Sequence, residues 1–181
     1  ESEHVRLAPI DIDKDAPVEA AWTVNPDYAS ILMDGVKPLP VLVLKKLYKD
    51  IRKQMDEKRD LVHFMLRHKA DDRLLGCLRF SDLYWPHQTG VMMLRFGSPQ
   101  DFEACAGEAL RLGTRYAFEE LNLFHLRVPL LAFDTPGIQL HEAAGFTLEI
   151  RRREHSFRHG RYWDQLIYVL MRPEWDTLRK E

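Results

Sequence analysis

Cysteine and histidine are the side chains that most often bind metals or act as nucleophiles, and this chain has two cysteines and eight histidines. Cys77 and Cys105 lie far apart and lack the short spacing of metal ligands. No pair of histidines combines with a carboxylate at the spacing typical of zinc enzymes. We therefore expect no metal site. Two buried free thiols are the favoured interpretation, and a disulfide or a nucleophilic cysteine stays open.

Positive side chains on strands are the next candidates for chemistry. The run Arg151–Arg153 lies on one predicted strand, so Arg152 should point opposite to its neighbours. A solvated edge is favoured; an acidic substrate or an RNA patch stays open, although no interleaved aromatic residues support RNA. Arg95 is the one cation on its strand, and it is either a surface residue or a ligand of a diphosphate. His87 is interpreted as a surface residue, with a part in guiding substrate as the alternative.

Composition limits which classes of protein this chain can belong to. The chain has 181 residues, a formal net charge of -2 and 45% hydrophobic residues, which suit one compact domain over residues 1–181. The near-neutral charge gives no reason to expect nucleic acid as a partner. The longest apolar run, Pro38–Leu44, is far shorter than the ~20 residues of a membrane span. We expect a cytoplasmic protein without a membrane or nucleic-acid partner.

Hydrophobic periodicity predicts the helices that must position these residues. Asp15-Ala16-Pro17 is interpreted as the N-cap and first turn of the first helix, and a short second helix is expected to end near Leu32. Leu42–Lys58 is amphipathic, with one apolar face made of Leu44, Leu47, Tyr48, Ile51 and Met55. The strongest helix is Ala104–Leu121. A last helix begins at Thr135-Pro136 and ends at Gly145.

Alternation of apolar and polar residues predicts seven strands. They are Val5–Ile10, Leu61–His68, Leu74–Leu83, Thr89–Phe96, His125–Phe133, Phe146–Phe157 and Tyr162–Met171. The close spacing of consecutive strands favours antiparallel pairing, with one crossover through the helix Ala104–Leu121. The sequence therefore predicts an α+β fold, with a mixed, mostly antiparallel central sheet of six to seven strands flanked by helices.

Three segments carry a family resemblance. The first joins Glu108-Ala109-Leu110 to residues 116–123, the second is Ile138–Phe146, and the third is the closing hairpin with Arg153-Glu154, Gly160, Tyr162, Asp164 and Glu174-Trp175. In order and spacing they resemble the GCN5-related N-acetyltransferases (GNAT), in the branch that acetylates protein N-termini and small amines. The resemblance covers nearly the whole chain.

This resemblance implies an enzyme that moves an acetyl group from acetyl-CoA to a primary amine by direct attack. The amine belongs to a protein N-terminus or a small molecule. Apart from the resemblance, a homodimer is a further expected partner. Acetyl-CoA would lie where the strands Thr89–Phe96 and His125–Phe133 part, because free backbone groups there can pair with its pantetheine arm. Its pyrophosphate would lie at the start of the helix Ala104–Leu121. The implied cofactor-binding residues are Leu94, Arg95, Phe96, Gly97, Gln100, Ala104, Cys105, Ala106, Gly107, Asp134 and Gly137.

Three departures from the family pattern accompany the resemblance. The loop Gln100–Gly107 lacks the leading glycines and the arginine that would meet the pyrophosphate, and Asp101 is interpreted as a possible N-cap there. His141 stands where the family has the tyrosine that protonates the thiolate, so it is the implied catalytic residue; a histidine without a role is the alternative. Asp134 replaces an asparagine. The second functional hypothesis is a catalytically silent scaffold that acts as a binding module.

Overall fold

The computed structural model describes residues 2–25, 37–158 and 160–179, and it confirms the α+β class. A seven-stranded sheet has the order β1-β2-β3-β4-β5-β7-β6. Its strands are β1 Val5–Ala8, β2 Val62–His68, β3 Leu74–Tyr84, β4 Thr89–Phe96, β5 His125–Leu131, β6 Thr147–Arg158 and β7 Arg161–Met171. The helices are α1 Ile12–Thr23, α2 Val41–Glu57, α3 Pro99–Arg115, α4 Thr135–Ala143 and α5 Arg172–Leu178.

The residues group into two compact units. The first unit comprises Glu1–Ser81 and Leu94–Gly113, and the second comprises Asp82–Met93 and Thr114–Glu181. The first unit therefore contains β1, β2, most of β3, the end of β4 and nearly all of α3. The second contains β5, β6, β7, α4 and α5.

Helix α1 begins earlier than the sequence predicts. Asp11 is the N-cap, and its carboxylate accepts hydrogen bonds from the amides of Asp13 and Lys14 at 3.2 Å each. Asp15 is therefore not the cap. It is fully buried inside the helix, where Arg67 of β2 donates to it over 2.5 Å, so its charge partner lies 52 residues away in the chain. The short second helix predicted to end near Leu32 lies outside the described residues.

Helix α2 confirms the prediction of an amphipathic helix. Leu44, Tyr48 and Ile51 are buried in a core cluster with residues of α1, β2 and β3. Leu47 belongs to the predicted apolar face but is 43% exposed. The apolar stripe buried against the sheet is therefore narrower than the sequence pattern indicates.

The strands agree closely with the predicted ones because alternation and turn residues define their ends. Consecutive strands β1, β2 and β3 pair antiparallel. In the second unit, β4 and β5 pair in parallel through the residues Thr89–Val91 and His125–Arg127, and both strands continue beyond these pairs. This confirms the predicted crossover through α3. The parting of the two strands around a cofactor stays a prediction.

The second unit contains the predicted hairpin. β6 and β7 pair antiparallel with a register shift between Arg152 and Ser156, and β5 pairs with the other edge of β7. Gly145 follows α4 with φ +88°, a conformation that favours glycine, which confirms the predicted helix end. The α-helical part of α3 ends at Arg115 and is followed by a π-helical turn, Tyr116–Glu120, instead of continuing to Leu121.

Candidate functional site

The end of β4 presents backbone groups in two directions. The amide of Gly97 donates to the carbonyl of Leu75 on β3 over 2.9 Å. Backbone groups of successive strand residues point to opposite edges, so those of Leu94 and Phe96 point away from β3. Of the predicted segment Leu94–Gly97, these two residues therefore carry the backbone donors and acceptors that are directed away from β3.

Gly97 is also held close to an aromatic ring. A Cβ atom at this position would lie 2.1 Å from Cε2 of Trp22 on α1. No side chain fits there unless the indole moves, so the packing of α1 explains this glycine. The amide of Gly97 already donates to the carbonyl of Leu75, so it can contribute little to the predicted cofactor site.

The predicted loop Gln100–Gly107 is helical, which corrects the sequence interpretation. Helix α3 begins at Pro99, and Ser98 caps it: its hydroxyl oxygen accepts from the amide of Asp101 over 3.1 Å and donates to the Asp101 carboxylate over 2.8 Å. Asp101 is thus in the first turn and is not the N-cap. The amide of Phe102 donates to the Ser98 carbonyl, and Pro99 has no N–H. The amide of Gln100 remains for an incoming anion.

The charge of Asp101 is compensated by a residue that the sequence does not single out. Nη1 of Arg73, between β2 and β3, lies 2.9 Å from both carboxylate oxygens of Asp101. The Arg73 side chain is half exposed and that of Asp101 is largely buried. The start of α3 therefore carries a paired cation and anion rather than the unopposed carboxylate that the sequence indicates. No sequence signal links two residues 28 positions apart.

The remaining cofactor candidates on α3 differ in exposure. Ala104 and Gly107 are exposed, while Cys105 and Ala106 are buried, so the latter two pack inside the first unit. Burial raises the pKa of the Cys105 thiol, which disfavours a reactive thiolate. Cys77 is likewise free and buried, and burial raises its thiol pKa to about 12. The interpretation of both cysteines as buried free thiols is confirmed.

In the second unit, Asp134 and Gly137 form the start of α4. The Asp134 carboxylate is the N-cap and accepts from the amide of Gly137 over 3.0 Å. A Cβ on residue 137 would lie 2.2 Å from Asp134 Oδ2, so the cap requires glycine. Burial raises the pKa of Asp134, and the hydrogen bond from Gly137 opposes that shift. Asp134 thus has a structural role in capping the helix, whatever its role toward a cofactor.

His141 is held in a defined orientation on α4. It is 3% exposed, its Nδ1 lies 2.7 Å from the carbonyl oxygen of Gly137, and its ring packs edge-on against Phe146. A carbonyl can only accept, so Nδ1 carries the proton and Nε2 carries the lone pair in the neutral ring. Burial lowers the His141 pKa, which favours this neutral form. Nε2 is buried without a hydrogen-bond partner in the described part of the chain.

The other polar candidates lie on the surface of the second unit. His87 ends a short 3-10 turn, Trp85–His87, and its ring lies 5.0 Å from that of Tyr84. All of Arg151–Arg153 are exposed, and Arg151 pairs with Asp164 over 2.5 Å. Because the register shifts next to Arg152, strict alternation does not hold along this run.

Neither a metal cluster nor a membrane-spanning helix is present in residues 2–25, 37–158 and 160–179. These residues contain no group of three or more histidine, cysteine, aspartate or glutamate side chains arranged to hold an ion. None of the described helices is both long and apolar enough to cross a bilayer.

Comparison with known proteins agrees with this architecture. Residues 4–147 match the acetyltransferase (GNAT) domain family. Two Bacillus subtilis (strain 168) proteins are similar in sequence: the SPbeta prophage-derived uncharacterized N-acetyltransferase YokL is 26% identical over 60% of this chain, and the probable N-acetyltransferase YjcK is 26% identical over 65%. The matches span 61% and 66% of the lengths of those two relatives.

Solved structures share the fold at lower identity. The spermidine N-acetyltransferase of Vibrio cholerae, crystallised with CoA and spermine, superposes with a TM-score of 0.82 at 17% identity, over 94% of this chain and 97% of that one. A GNAT-family acetyltransferase from Bacillus anthracis superposes with a TM-score of 0.77 at 20% identity, over 96% of this chain and 98% of that one. These similarities extend over nearly the whole fold.

Proposed function

Because this chain belongs to the GNAT acetyltransferase family, we propose that it transfers an acetyl group from acetyl-CoA to a primary amine of a small molecule or a protein N-terminus. The observation that carries the proposal is the order in which backbone hydrogen-bonding groups and a helix start follow each other at the end of β4. Leu94 and Phe96 direct backbone groups away from β3, and the capped start of α3 follows within three residues of Phe96. An amide-bearing arm followed by a diphosphate has matching chemistry in this order.

The acyl donor would be held by residues of the first unit. The backbone of Leu94 and Phe96 pairs with the pantetheine amides, as an added strand would. The diphosphate takes the Gln100 amide and the guanidinium of Arg73, which supplies the positive charge that the missing family arginine would provide. The exposed Ala104 and Gly107 leave room along the helix, whereas Cys105 and Ala106 are buried and support the helix from inside the first unit. Arg95 is a further cation on the strand that carries Leu94 and Phe96.

The reaction is a direct transfer. The unprotonated amine nitrogen attacks the thioester carbonyl carbon, a C–N bond forms, and the C–S bond breaks. The amine loses a proton and the CoA thiolate gains one. We assign the movement of this proton to His141, because its Nε2 lone pair can accept a proton and then return it. Asp134 and Gly137 support that role by holding the start of the helix that carries His141.

Calorimetry and a transfer assay together test the proposal. Acetyl-CoA and CoA are titrated into the protein, and acetylation is then followed with spermidine, short monoamines and a peptide with a free α-amine. Binding of acetyl-CoA with transfer to at least one amine supports the proposal. Absence of both would overturn it.

One observation favours a second candidate function, a silent scaffold that binds a ligand or partner. Ser98 and Asp101 are hydrogen-bonded to each other at the start of α3, and Pro99 has no N–H. Few hydrogen-bond donors therefore face an incoming diphosphate. Binding of CoA without transfer to any amine would favour this alternative.

The solved Vibrio cholerae spermidine N-acetyltransferase includes a dodecameric form. For this chain we propose a homodimer, to be checked by light scattering after size-exclusion chromatography.

A further inference from the structure

Two polar side chains stand side by side across the first unit's strands. His63 of β2 pairs in register with Arg79 of β3, and two residues along the same strands Met65 pairs with Cys77. Side chains two apart share one face of a sheet, so all four lie on the same face. Met65 and Cys77 belong to the core cluster under α1 and α2, and the ring of Tyr48 from α2 lies 6.4 Å from that of His63. The pair of His63 and Arg79 is therefore on the helix-covered face.

Neither member of this pair has all its polar atoms satisfied. His63 is 6% exposed, and both of its ring nitrogens are buried without a hydrogen-bond partner among the described residues. The Nε atom of Arg79 is also buried without a hydrogen-bond partner among the described residues. Folded proteins pair the great majority of buried polar atoms, since an unmet one is destabilising. Three such atoms on directly paired residues indicate a place that a ligand completes.

The charges around His63 define the kind of ligand. Burial first, and then the guanidinium groups of Arg79 and Arg95, lower the His63 pKa to about 4, so the ring is neutral at physiological pH and offers one N–H donor. The carboxylate of Glu19 on α1 accepts a hydrogen bond from the Tyr48 hydroxyl. The charged groups that act on His63 in the described part of the chain are both cationic.

We propose that His63 and Arg79 bind a carboxylate of the acceptor, so that the preferred acceptor is a small amine carrying a carboxylate rather than a polyamine. This proposal rests on the proposed acetyl transfer. A guanidinium and a neutral imidazole N–H are matched donors for a carboxylate, whereas a polycation would be repelled by them. Arg95 directly precedes Phe96, so the positive charge adjoins the strand segment proposed for the acyl donor.

A matched pair of acceptors tests the charge preference. 4-Aminobutyrate and 1,4-diaminobutane have similar lengths, but one carries a carboxylate where the other carries an ammonium group. The wild type should acetylate 4-aminobutyrate with a kcat/KM at least about tenfold higher. Arg79→Gln should lower this kcat/KM by about 10- to 100-fold, as expected for loss of a hydrogen bond to a charged group. The diamine reaction should not fall, because loss of the guanidinium removes repulsion of the ammonium group, and the CoA affinity should not change.

Arg153→Gln is the control, since it removes the same charge from an exposed position on β6. It should leave both acceptors unaffected. Preference of the wild type for the diamine or spermidine, or an equal loss for both acceptors in Arg79→Gln, overturns the carboxylate site while leaving the acetyltransferase proposal standing.

Direct binding separates the two proposals if no amine is acetylated. Calorimetry with 4-aminobutyrate should then still give heat with the wild type and none with Arg79→Gln, and His63→Phe should weaken the binding as a second, independent variant. Heat in this pattern supports the carboxylate site even though the transfer proposal fails. No heat with the wild type overturns the site.

Discussion

Nη1 of Arg73 lies 2.9 Å from each carboxylate oxygen of Asp101, at the first turn of α3. This contact joins the turn before β3 to the helix that would receive a diphosphate. It cancels much of the repulsion that Asp101 alone would exert on an anion. It also holds the guanidinium at the first turn of α3, so this ion pair sets the charge there.

We predict that Asp101→Asn tightens CoA binding by about fivefold. The substitution keeps a side chain that can bond to Ser98 and removes one negative charge, which is worth about 1 kcal/mol at solvent-exposed separations. Arg73→Gln should weaken binding by a similar factor. Calorimetry with CoA at low ionic strength measures both changes, and added salt should reduce them.

The control for this prediction is Glu57→Gln, an exposed carboxylate at the end of α2. Its CoA affinity should equal that of the wild type. Unchanged affinity in both Asp101→Asn and Arg73→Gln would mean that the diphosphate binds away from the start of α3.

Local signals predicted the strands and α2 well, because turn residues and hydrophobic alternation act within a few residues of each other. The start of α3 was also encoded locally. Ser98, Pro99 and Asp101 match a helix-capping pattern, but comparison with a glycine-rich family loop favoured a loop instead. The lesson is physical: a capping serine and a proline at the first helical position outweigh the expectation of a loop.

Other parts of the site could not be predicted from local pattern. Asp15 is of a residue type that favours N-caps, yet it forms an ion pair with Arg67. Only folding brings these two residues together. The pairing of His63 with Arg79 depends on the register of two strands. The contact between Arg73 and Asp101 likewise forms only when the chain folds. Long-range pairs of this kind need the tertiary structure, because no spacing rule connects their members.

We predict that Arg67→Met lowers the free energy of unfolding by about 3–5 kcal/mol. Asp15 and Arg67 are both buried, so removing the cation leaves an unpaired carboxylate in the interior. The double variant Asp15→Asn/Arg67→Met should lose less than Arg67→Met alone, since it buries no charge. Urea unfolding at neutral pH measures both.

An exposed ion pair supplies the comparison. Lys45 and Asp13 lie 2.6 Å apart at the surface, and Lys45→Met should change the unfolding free energy by less than about 1 kcal/mol. If Arg67→Met were as mild as Lys45→Met, the buried pair would not be a major determinant of stability.

We predict that His63 makes the protein less stable in acid. Its pKa of about 4 in the folded state lies below the unfolded value of about 6.5, so the unfolded chain binds more protons between these pH values. Stability from this residue is complete above about pH 6.5 and is lost as the pH falls toward about 4. Between pH 7.5 and pH 5 the loss should be about 2 kcal/mol.

His63→Leu isolates this contribution, because leucine is apolar and does not titrate. Urea unfolding at pH 7.5 and pH 5 should show that the variant loses about 2 kcal/mol less than the wild type over this interval. Identical losses in the two proteins would show that His63 keeps its ordinary pKa on folding. His155→Leu, at an exposed position, should behave like the wild type.

The hydrogen bond from His141 to the Gly137 carbonyl determines which ring nitrogen of His141 carries the proton. It fixes the proton on Nδ1, so the neutral ring presents Nε2 as a base. A base that takes up a proton and returns it to the thiolate must be neutral at the start of each turnover. Protonation of His141 in acid should therefore stop the reaction, and the fall in kcat should follow the His141 pKa.

We predict that His141→Phe lowers kcat by about 10²–10⁴-fold, the usual effect of losing a positioned acid–base group, and leaves CoA affinity unchanged. Burial lowers the His141 pKa, so the acid limb of the wild-type kcat profile should lie below pH 6.5. His141→Tyr should retain activity but lose that limb, because a neutral phenol, which titrates near pH 10, can give its proton to the thiolate and then regain the proton that the amine releases. His87→Phe, with the histidine at an exposed turn, is the control and should keep both kcat and the limb. Full activity in His141→Phe would show that the residue only packs against Phe146 and takes no part in proton transfer.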